Sequence, residues 1–472
     1  MTDTRQGFDC DVAVLGGGSA GYAAARTATA AGLRTVTIES GAEVGGLCIL
    51  RGCMPTKALL YAAEVLHRAR HTEPWGIRAD HVGFDFAKVM ARKNALVREF
   101  ADDRREQLTG GKFEYLRATA KFLDPHSVGL SNAGPSPRRL TAAHFVITTG
   151  STVAPPPLPL LREVGYLTSD DVMKLTQLPN SLIVLGGGAV AVELAQFFAR
   201  FGVHVTLLQR GEHLLRDFDT DAAMAIEQVF RRDGIEVFTN TKLTDARRDG
   251  RLKTISFQHH GRPESVSAEE ILFALGRVPN TVSLDLDRAG VATDHGRIVA
   301  NEFMQTSAPH IYTAGDCTGP HEIVHLAVRQ GEIAAHNIAH PNAPRPMDYR
   351  LLLAVIFTEP QVASVGLTEK TATMLSVPYL TARHPFRDHG KSLIMEARDG
   401  FVKLLADPQS GEILGGACVG PVGGELIHEI VAALAKRMTV HELAELPHYH
   451  PTLAEIWTYP AEALAERIPA PR

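Results

Sequence analysis

Cysteine is scarce in this chain of 472 residues, which carries five. So few cysteines do not form the dense disulfide framework of small secreted domains, and we therefore expect a reducing, cytoplasmic location. Long basic runs are also missing and the formal net charge is −5, which gives no support to a role on nucleic acid or on an anionic membrane. No run of about 18 apolar residues predicts a membrane helix. The first residues lack the basic flank and apolar core of a signal peptide.

The composition that remains is typical of a packed α/β protein. The hydrophobic fraction is 45% and there are 41 glycines, which suits many turns between helices and strands. A chain of this length exceeds one ordinary hydrophobic core, so we expect about two to four domains.

A segment near the start of the chain occurs again in its middle. Residues 10–40, CDVAVLGGGSAGYAAARTATAAGLRTVTIES, align without gaps with residues 180–210, NSLIVLGGGAVAVELAQFFARFGVHVTLLQR. Each copy has a short apolar strand, a glycine turn, a helix and a second β-branched strand. The repeat therefore predicts a βαβ unit twice.

The glycine turn of the first copy is typical of a dinucleotide site. Gly16 permits the tight turn, Gly18 lets the backbone approach a pyrophosphate, and Gly21 lets the helix pack close to its strand. Glu39 ends the next strand, where a carboxylate can bind ribose hydroxyls. An ordinary strand-to-helix turn is the alternative interpretation.

The second copy predicts a different dinucleotide. It keeps Gly186 and Gly188 but has Ala191 at the third glycine position. Two such sites in one chain suggest one nucleotide that is bound tightly and one that exchanges. The natural pair is a flavin dinucleotide and a nicotinamide dinucleotide.

The residues after the second copy favour NADP(H) over NAD(H). Gln209 stands where the first copy has Glu39, and Arg210 and Arg216 follow. Loss of the carboxylate and gain of guanidinium groups favours a 2′-phosphate. The alternative is that both arginines are solvated loop charges.

Residues 45–57, GGLCILRGCMPTK, contain Cys48 and Cys53. A zinc site, a structural disulfide, a reduced core pair and a redox pair are the candidate interpretations; zinc needs further ligands, and the other cysteines stand alone. In a regular helix, residues five apart lie roughly 8–9 Å apart at Cα, beyond disulfide reach. The redox hypothesis therefore requires a bend, for which Gly52 gives freedom. Pro55 suits the first turn of a following helix, which would place Cys53 just before a helix N-terminus that stabilises a thiolate.

Several motifs, in order along the chain, resemble the class I flavoprotein disulfide reductases, the family of dihydrolipoamide dehydrogenase, glutathione reductase and mercuric reductase. They are GGGSAG with VTIE, GGLCILRGCMPTK, TTGS (148–151), GGGAVAVE, ALGRVPN (274–280), TAGD (313–316), FTEPQVASVGLTE (357–369) and HYHPTLAE (448–455). The resemblance covers about residues 8–460 and implies an FAD-dependent NAD(P)H:disulfide oxidoreductase. Electrons would pass between NAD(P)H, FAD, a Cys48–Cys53 disulfide and a small disulfide or dithiol.

The resemblance also implies residue roles. Cys48 would attack the substrate, Cys53 would face the flavin, and Lys57 and Glu193 would pair near it. The implied FAD-binding residues are Gly16, Gly18, Ser19, Ala20, Gly21, Glu39, Lys57, Ala120, Thr149, Gly150 and Asp316. The implied nicotinamide-binding residues are Gly186, Gly188, Ala191, Glu193, Gln209, Arg210, Arg216, Gly276 and Arg277.

A histidine and an acid near the C-terminus can be interpreted from their chemistry. His450 can take a proton at neutral pH, and Glu455 can orient its imidazole. The alternative is a loop histidine before Pro451. The resemblance implies that this histidine serves the disulfide of another subunit, and hence a homodimer.

Other sequence features limit the substrate prediction. HEIVH (321–325) matches a zinc-protease pattern, but it follows the TAGD turn directly, so we predict no metal site. The chain ends ERIPAPR without the cysteine pair of mercuric reductases. Arg51, between the two cysteines, could lower a thiolate pKa, steer an anionic substrate or point to solvent. The Gln209–Arg210 pattern resembles NADPH-using relatives, whereas GCMPTKALLYAAE and residues 399–420 resemble the usually NAD-linked dihydrolipoamide dehydrogenases.

The predicted fold is α/β, with two Rossmann-like dinucleotide-binding domains and a C-terminal α+β dimerisation domain. The predicted parts are an FAD domain (1–155 and 281–345), an NAD(P) domain (156–280) and an interface domain (346–472). Two other functions remain alternatives: a metal or dye reductase or transhydrogenase without a disulfide substrate, and a flavoprotein subunit or redox sensor without turnover.

Overall fold

The computed structural model describes residues 7–132 and 138–469. The chain divides into two compact units. The first unit comprises the residues up to Ala58, Ala91–Pro155 and Gly276–Met347. The second unit comprises Leu59–Met90, Pro156–Leu275 and the residues from Asp348 onward.

The described residues form the following strands and α-helices. The strands are β1 (Cys10–Leu15), β2 (Thr35–Glu39), β3 (Glu114–Arg117), β4 (Thr119–Asp124), β5 (Ser127–Ser131), β6 (Arg138–Ile147), β7 (Ser151–Val153), β8 (Ser181–Leu185), β9 (His204–Leu208), β10 (Glu236–Phe238), β11 (Thr241–Asp249), β12 (Leu252–His259), β13 (Arg262–Ala268), β14 (Glu270–Phe273), β15 (Arg277–Pro279), β16 (Thr293–Asp294), β17 (Arg297–Ile298), β18 (Ile311–Thr313), β19 (Leu353–Ile356), β20 (Gln361–Gly366), β21 (Leu380–Pro385), β22 (Phe401–Ala406) and β23 (Ile413–Gly420). The α-helices are α1 (Ser19–Ala30), α2 (Gly46–Leu50), α3 (Cys53–Arg70), α4 (Phe86–Thr109), α5 (Leu160–Val164), α6 (Ser169–Val172), α7 (Ala189–Arg200), α8 (Thr220–Arg232), α9 (Val324–Ala339), α10 (Glu369–Met374), α11 (Gly390–Ile394), α12 (Gly423–Ala435), α13 (Val440–Glu445) and α14 (Thr458–Ala465).

The first unit is built on a mixed sheet. Strands β3, β2, β1 and β6 are parallel neighbours in that order, β18 pairs in parallel with β6, and β5 and β4 continue the sheet antiparallel. Strand β1 is buried at every position, as expected for a parallel strand covered on both faces. Helix α1 packs so closely on α9 that a Cβ on Gly331 would collide with the Ala20 carbonyl oxygen.

The second unit contains two main sheets. One is parallel, in the order β10-β9-β8-β14. The other is antiparallel, in the order β19-β20-β23-β22-β21. Its strands β22 and β23 pair antiparallel and precede the C-terminal helices α12, α13 and α14.

The predicted α/β class and both βαβ units are therefore confirmed. The four-part domain division stays a prediction. Within the described residues, no helix combines the length and apolar character needed to cross a membrane.

Candidate active site

The two glycine turns have the same backbone geometry. Gly16 has φ +114° and Gly186 has φ +118°, a region that side-chain-bearing residues rarely adopt. A Cβ on Gly16 would collide with the carbonyl oxygen of Thr148, and one on Gly186 with that of Ala274. Both glycines are required because the turn runs directly against a neighbouring strand end.

The N-terminus of the helix that follows the first turn has no side-chain cap. Helix α1 begins at Ser19, and its N-cap Gly18 provides no side-chain hydrogen bond. A Cβ on Gly46 would come within 2.7 Å of the Gly18 Cα. The helix N-terminus is thus an open backbone cradle, which attracts a phosphate through its free N–H groups.

Glu39 ends β2 beside this cradle. Its carboxylate accepts hydrogen bonds from the Gly17 N–H at 2.8 Å and from the Gly41 N–H at 2.7 Å. The sequence predicts a ribose-binding acid at this point, and the two backbone bonds fix the position of that carboxylate.

A second set of polar groups lies at the same edge of this sheet, beyond the C-terminal ends of β6 and β18. The Ser151 hydroxyl donates to Asp316 Oδ2 at 2.7 Å, and Arg277 donates to the Ser151 hydroxyl at 2.8 Å. Thr149 Oγ1 is buried without a hydrogen-bond partner among the described residues. The open helix N-terminus, the glycine cradle and this orphaned hydroxyl fit a bound FAD. Ala120, also predicted here, lies buried in β4.

The second turn matches its predicted role less closely. Ala191 is fully buried, so this copy has room for a methyl group where the first has Gly21. Gln209 donates to the His213 carbonyl oxygen at 3.2 Å and accepts from the Arg210 N–H at 3.1 Å. Arg210 is exposed, and Arg216 is exposed with Asp217 at 3.5 Å. Two exposed guanidinium groups near this turn remain consistent with a 2′-phosphate.

Cys48 and Cys53 lie on either side of a helix break. Cys48 belongs to α2, and the Gly52 N–H bonds to the Leu47 carbonyl oxygen at 2.7 Å. The predicted bend at Gly52 is confirmed, and so is Pro55 in the first turn of α3. Cys53 is itself the first residue of α3 and does not lie just before the helix as predicted, because the helix starts directly at the break.

The two cysteines are not joined by a disulfide, and their side chains are hydrogen-bonded to each other. This hydrogen bond, and then burial, raises the pKa of Cys48, while the positive charge of Arg104 opposes the rise. Burial raises the pKa of the three other cysteines, Cys10, Cys317 and Cys418. They are therefore ordinary core thiols.

Cys48 opens on a cavity of about 550 Å³. The cavity is mostly apolar, and its larger polar side chains are Tyr22, Arg26, Asp103, Arg104 and Gln107. Tyr22 and Arg104 are not among the site residues predicted from the sequence. Arg104 lies in the C-terminal part of α4, in no recognisable motif, so the residues around it give no signal.

The predicted base pairs with its acid as expected. His450 Nδ1 lies 2.9 Å from Glu455 Oε2. The His450 side chain is 78% exposed, whereas that of Glu455 is 10% exposed. The imidazole can therefore reach a group outside its own chain while the carboxylate stays fixed.

A second histidine, absent from the prediction, lies against the same carboxylate. His389 Nε2 is 3.2 Å from Glu455 Oε1, and His389 Nδ1 is 2.8 Å from the Ser392 hydroxyl. His389 is completely buried. Burial lowers the pKa of His389 and the Glu455 charge opposes this. The carboxylate thus lies between one exposed and one buried imidazole.

Glu193 and the histidines of the HEIVH segment are the remaining residues that the sequence singles out. Glu193 is buried and accepts the Phe357 N–H at 2.9 Å; its pairing with Lys57 stays a prediction. Helix α9 begins only at Val324, so His321 and His325 do not share a helical turn as the zinc-protease pattern requires. The described residues contain no cluster of three or more potential metal ligands.

Family models and curated relatives place the chain in one family. The pyridine nucleotide-disulphide oxidoreductase family model matches residues 10–331, and its dimerisation domain model matches residues 353–461. Dihydrolipoyl dehydrogenase of Geobacillus stearothermophilus is 34% identical over 460 residues, with 96% of each chain covered. Mercuric reductase of Streptomyces lividans is 35% identical over 476 residues, with 99% of this chain and 98% of the relative covered.

The fold is also similar to those of two solved structures. LpdA from Mycobacterium tuberculosis has a TM-score of 0.86 at 29% identity. The HOCl-induced flavoprotein disulfide reductase RclA from Escherichia coli has a TM-score of 0.84 at 25% identity. In both cases 96% of this chain and 99% of the other are covered.

Proposed function

Because the chain belongs to the pyridine nucleotide-disulphide oxidoreductase family and is an FAD-dependent oxidoreductase acting on a sulfur group, we propose that Cys48 and Cys53 are its redox pair. The observation that carries this proposal is that their thiols are hydrogen-bonded across a helix break and Cys48 lines a cavity. Thiol–disulfide exchange needs one accessible thiol and a resolving partner within bonding reach.

In this proposal Cys48 attacks the substrate disulfide, which releases one thiol and leaves the other half joined to Cys48 as a mixed disulfide. Cys53 then attacks the Cys48 sulfur, closes the internal disulfide and releases the second thiol. A bound FAD would supply the electrons of a nicotinamide to the Cys48–Cys53 disulfide, which would return to two thiols. Gly16, Gly18 and the N-terminus of α1 would hold its phosphates. The reverse direction oxidises a dithiol and produces NAD(P)H.

His450 acts as the proton carrier. It accepts the Cys48 proton before attack and donates a proton to the leaving thiol. Glu455 holds the imidazole through Nδ1, which leaves Nε2 for the thiol. The dimerisation domain supports a homodimer, and the exposure of His450 supports service to a neighbouring subunit.

The proposal includes a preference for NADPH over NADH. Arg210 and Arg216 would bind a 2′-phosphate, so NADPH should reduce the protein faster than NADH.

Lys57 and Glu193 would pair near the flavin. Arg277 would help to hold the nicotinamide. The proposed domains are 1–155 with 281–345 for FAD, 156–280 for NAD(P) and 346–472 for the interface; the proposed location is the cytoplasm.

Anaerobic titration with NADPH, and separately NADH, tests the proposal. A long-wavelength absorbance band at two electrons per flavin is the signature of the Cys53 thiolate against oxidised FAD. Cys48→Ser should keep flavin reduction and lose disulfide turnover, while Cys418→Ala, a core control, should keep both. Full disulfide turnover in Cys48→Ser would overturn the proposal.

A metal or dye reductase is the second candidate, favoured by the likeness to a mercuric reductase. It predicts that the wild type reduces dyes or metal ions but no disulfide, and that Cys48→Ser keeps dye reduction. The same pair of variants separates the two functions.

A further inference from the structure

The cavity beside Cys48 combines an apolar wall with one unusual cation. Its apolar lining includes Ile49, Met54, Phe100, Val324 and Val328. Such a wall suits an aliphatic carrier. The polar groups that remain decide which carriers bind.

Arg104 is the cation in question. Its guanidinium carbon lies 4.4 Å from the centre of the Tyr22 ring, which holds the planar group by a cation–π contact. Its Nε is buried and has no hydrogen-bond partner among the described residues. Burial lowers the pKa of Arg104, yet a guanidinium keeps its charge throughout the neutral range.

The other charged side chains in and beside the cavity are either paired with an opposite charge or exposed, unlike Arg104. Arg26 is paired with Glu332. Asp103 lines the cavity and is exposed. Arg105, the next residue on α4, pairs with Asp102 at 2.6 Å and does not line the cavity. Arg104 therefore differs from its neighbours in having a fixed plane and an unused buried donor.

Resting on the proposed function, we propose that this cavity takes a disulfide whose aliphatic carrier bears a carboxylate, and that Arg104 recognises that carboxylate. A guanidinium matches a carboxylate through two parallel N–H···O bonds, which a neutral amide cannot reproduce. The Tyr22 ring holds the guanidinium plane, so little conformational freedom is lost on binding.

The test uses lipoate and lipoamide, which share the dithiolane ring and differ in carboxylate against carboxamide. In Arg104→Gln the ratio of kcat/KM for lipoate to that for lipoamide should fall about 10- to 100-fold, which is the effect expected when one hydrogen bond between charged groups is lost. The change should lie mainly in KM. Arg104→Lys should keep part of the preference, and Arg105→Gln should keep all of it. An unchanged ratio in Arg104→Gln overturns the proposal.

A second measurement does not depend on turnover. The reduced protein is alkylated at Cys48 with iodoacetate and, separately, with the uncharged iodoacetamide. The ratio of the two rates should be lower in Arg104→Gln than in wild type and Arg105→Gln; equal ratios overturn the proposal. If wild type reduces neither lipoate nor lipoamide, the proposed function is in doubt, whereas the alkylation ratio still decides the role of Arg104.

Discussion

Lys403 is the most strongly buried ion-paired cation of the second unit's described residues, and its removal should destabilise that unit. It lies on β22 and its side chain is 2% exposed. The ammonium lies 2.8 Å from Asp219, 2.9 Å from Asp221 and 2.7 Å from Glu369. These acids stand at the N-termini of α8 and α10. One ammonium thus joins the N-termini of α8 and α10 to strand β22.

The free energy of unfolding that Lys403→Met loses depends on how the three acids are stabilised without the ammonium. Removing one partner of a buried ion pair costs about 3–5 kcal/mol, because the other charge is left buried. Asp219 keeps the N–H groups of Glu369 and Lys370 at 3.2 and 3.1 Å, and Asp221 and Glu369 are partly hydrated. Methionine also preserves the apolar stem. The loss in free energy of unfolding should therefore be near the lower end, about 3 kcal/mol.

Urea denaturation of the FAD-loaded protein at neutral pH, followed by circular dichroism, measures this loss. Burial lowers the pKa of Lys403, but its hydrogen bonds to Asp219 and Glu369 outweigh burial and the net pKa is raised above its usual 10.5. The stabilisation is therefore complete below pH 10.5 and disappears only as the pH rises through the higher folded value. Arg383→Gln is the matched control, since Arg383 is 65% exposed and 3.9 Å from Asp221; its cost should stay below about 0.5 kcal/mol. Equal losses in the two variants would refute the reasoning.

Three further predictions concern the sites. Glu39→Ala removes the acceptor of two backbone N–H groups, so FAD should dissociate at least about 10-fold more readily, measured by flavin fluorescence; unchanged retention contradicts this role. Burial, and then the charge of Glu64, raises the pKa of Glu359 to about 7, so its stabilisation is present below pH 4.5 and is lost as the pH rises to 7. Glu359→Gln should therefore be more stable than wild type at pH 8 by roughly 1–3 kcal/mol and equal to it at pH 4.5 in denaturant melts; a constant difference argues against that titration. His389→Leu removes the second imidazole from Glu455 and should slow disulfide turnover about 5- to 20-fold, with dye reduction as the control; equal loss of both activities would indicate a structural role only.

Local backbone constraints explain which parts of the protein were predictable. The turns at Gly16 and Gly186, and the break at Gly52, depend on residues within a few positions, so the sequence predicts them directly. Lys403 and its partner Asp221 are 182 positions apart, and nothing in the residues around Lys403 indicates an acid at that distance. Arg104 meets Tyr22 only because α4 returns to α1 in the folded unit.

The raised pKa of Cys48 explains why a base is needed at this site. A thiolate is the nucleophile in exchange, yet the hydrogen bond that the Cys48 thiol donates to Cys53, together with burial, raises the pKa of Cys48 and keeps it protonated at neutral pH. Arg104 opposes this only in part. The proton must therefore leave with an acceptor during attack, and His450, held by Glu455, is an exposed imidazole suited to that task. Reduced Cys48 in a protein lacking His450 should accordingly react with iodoacetamide slowly at pH 7 and speed up steadily up to pH 9. A fast, pH-independent reaction would mean that Cys48 is already a thiolate and needs no base.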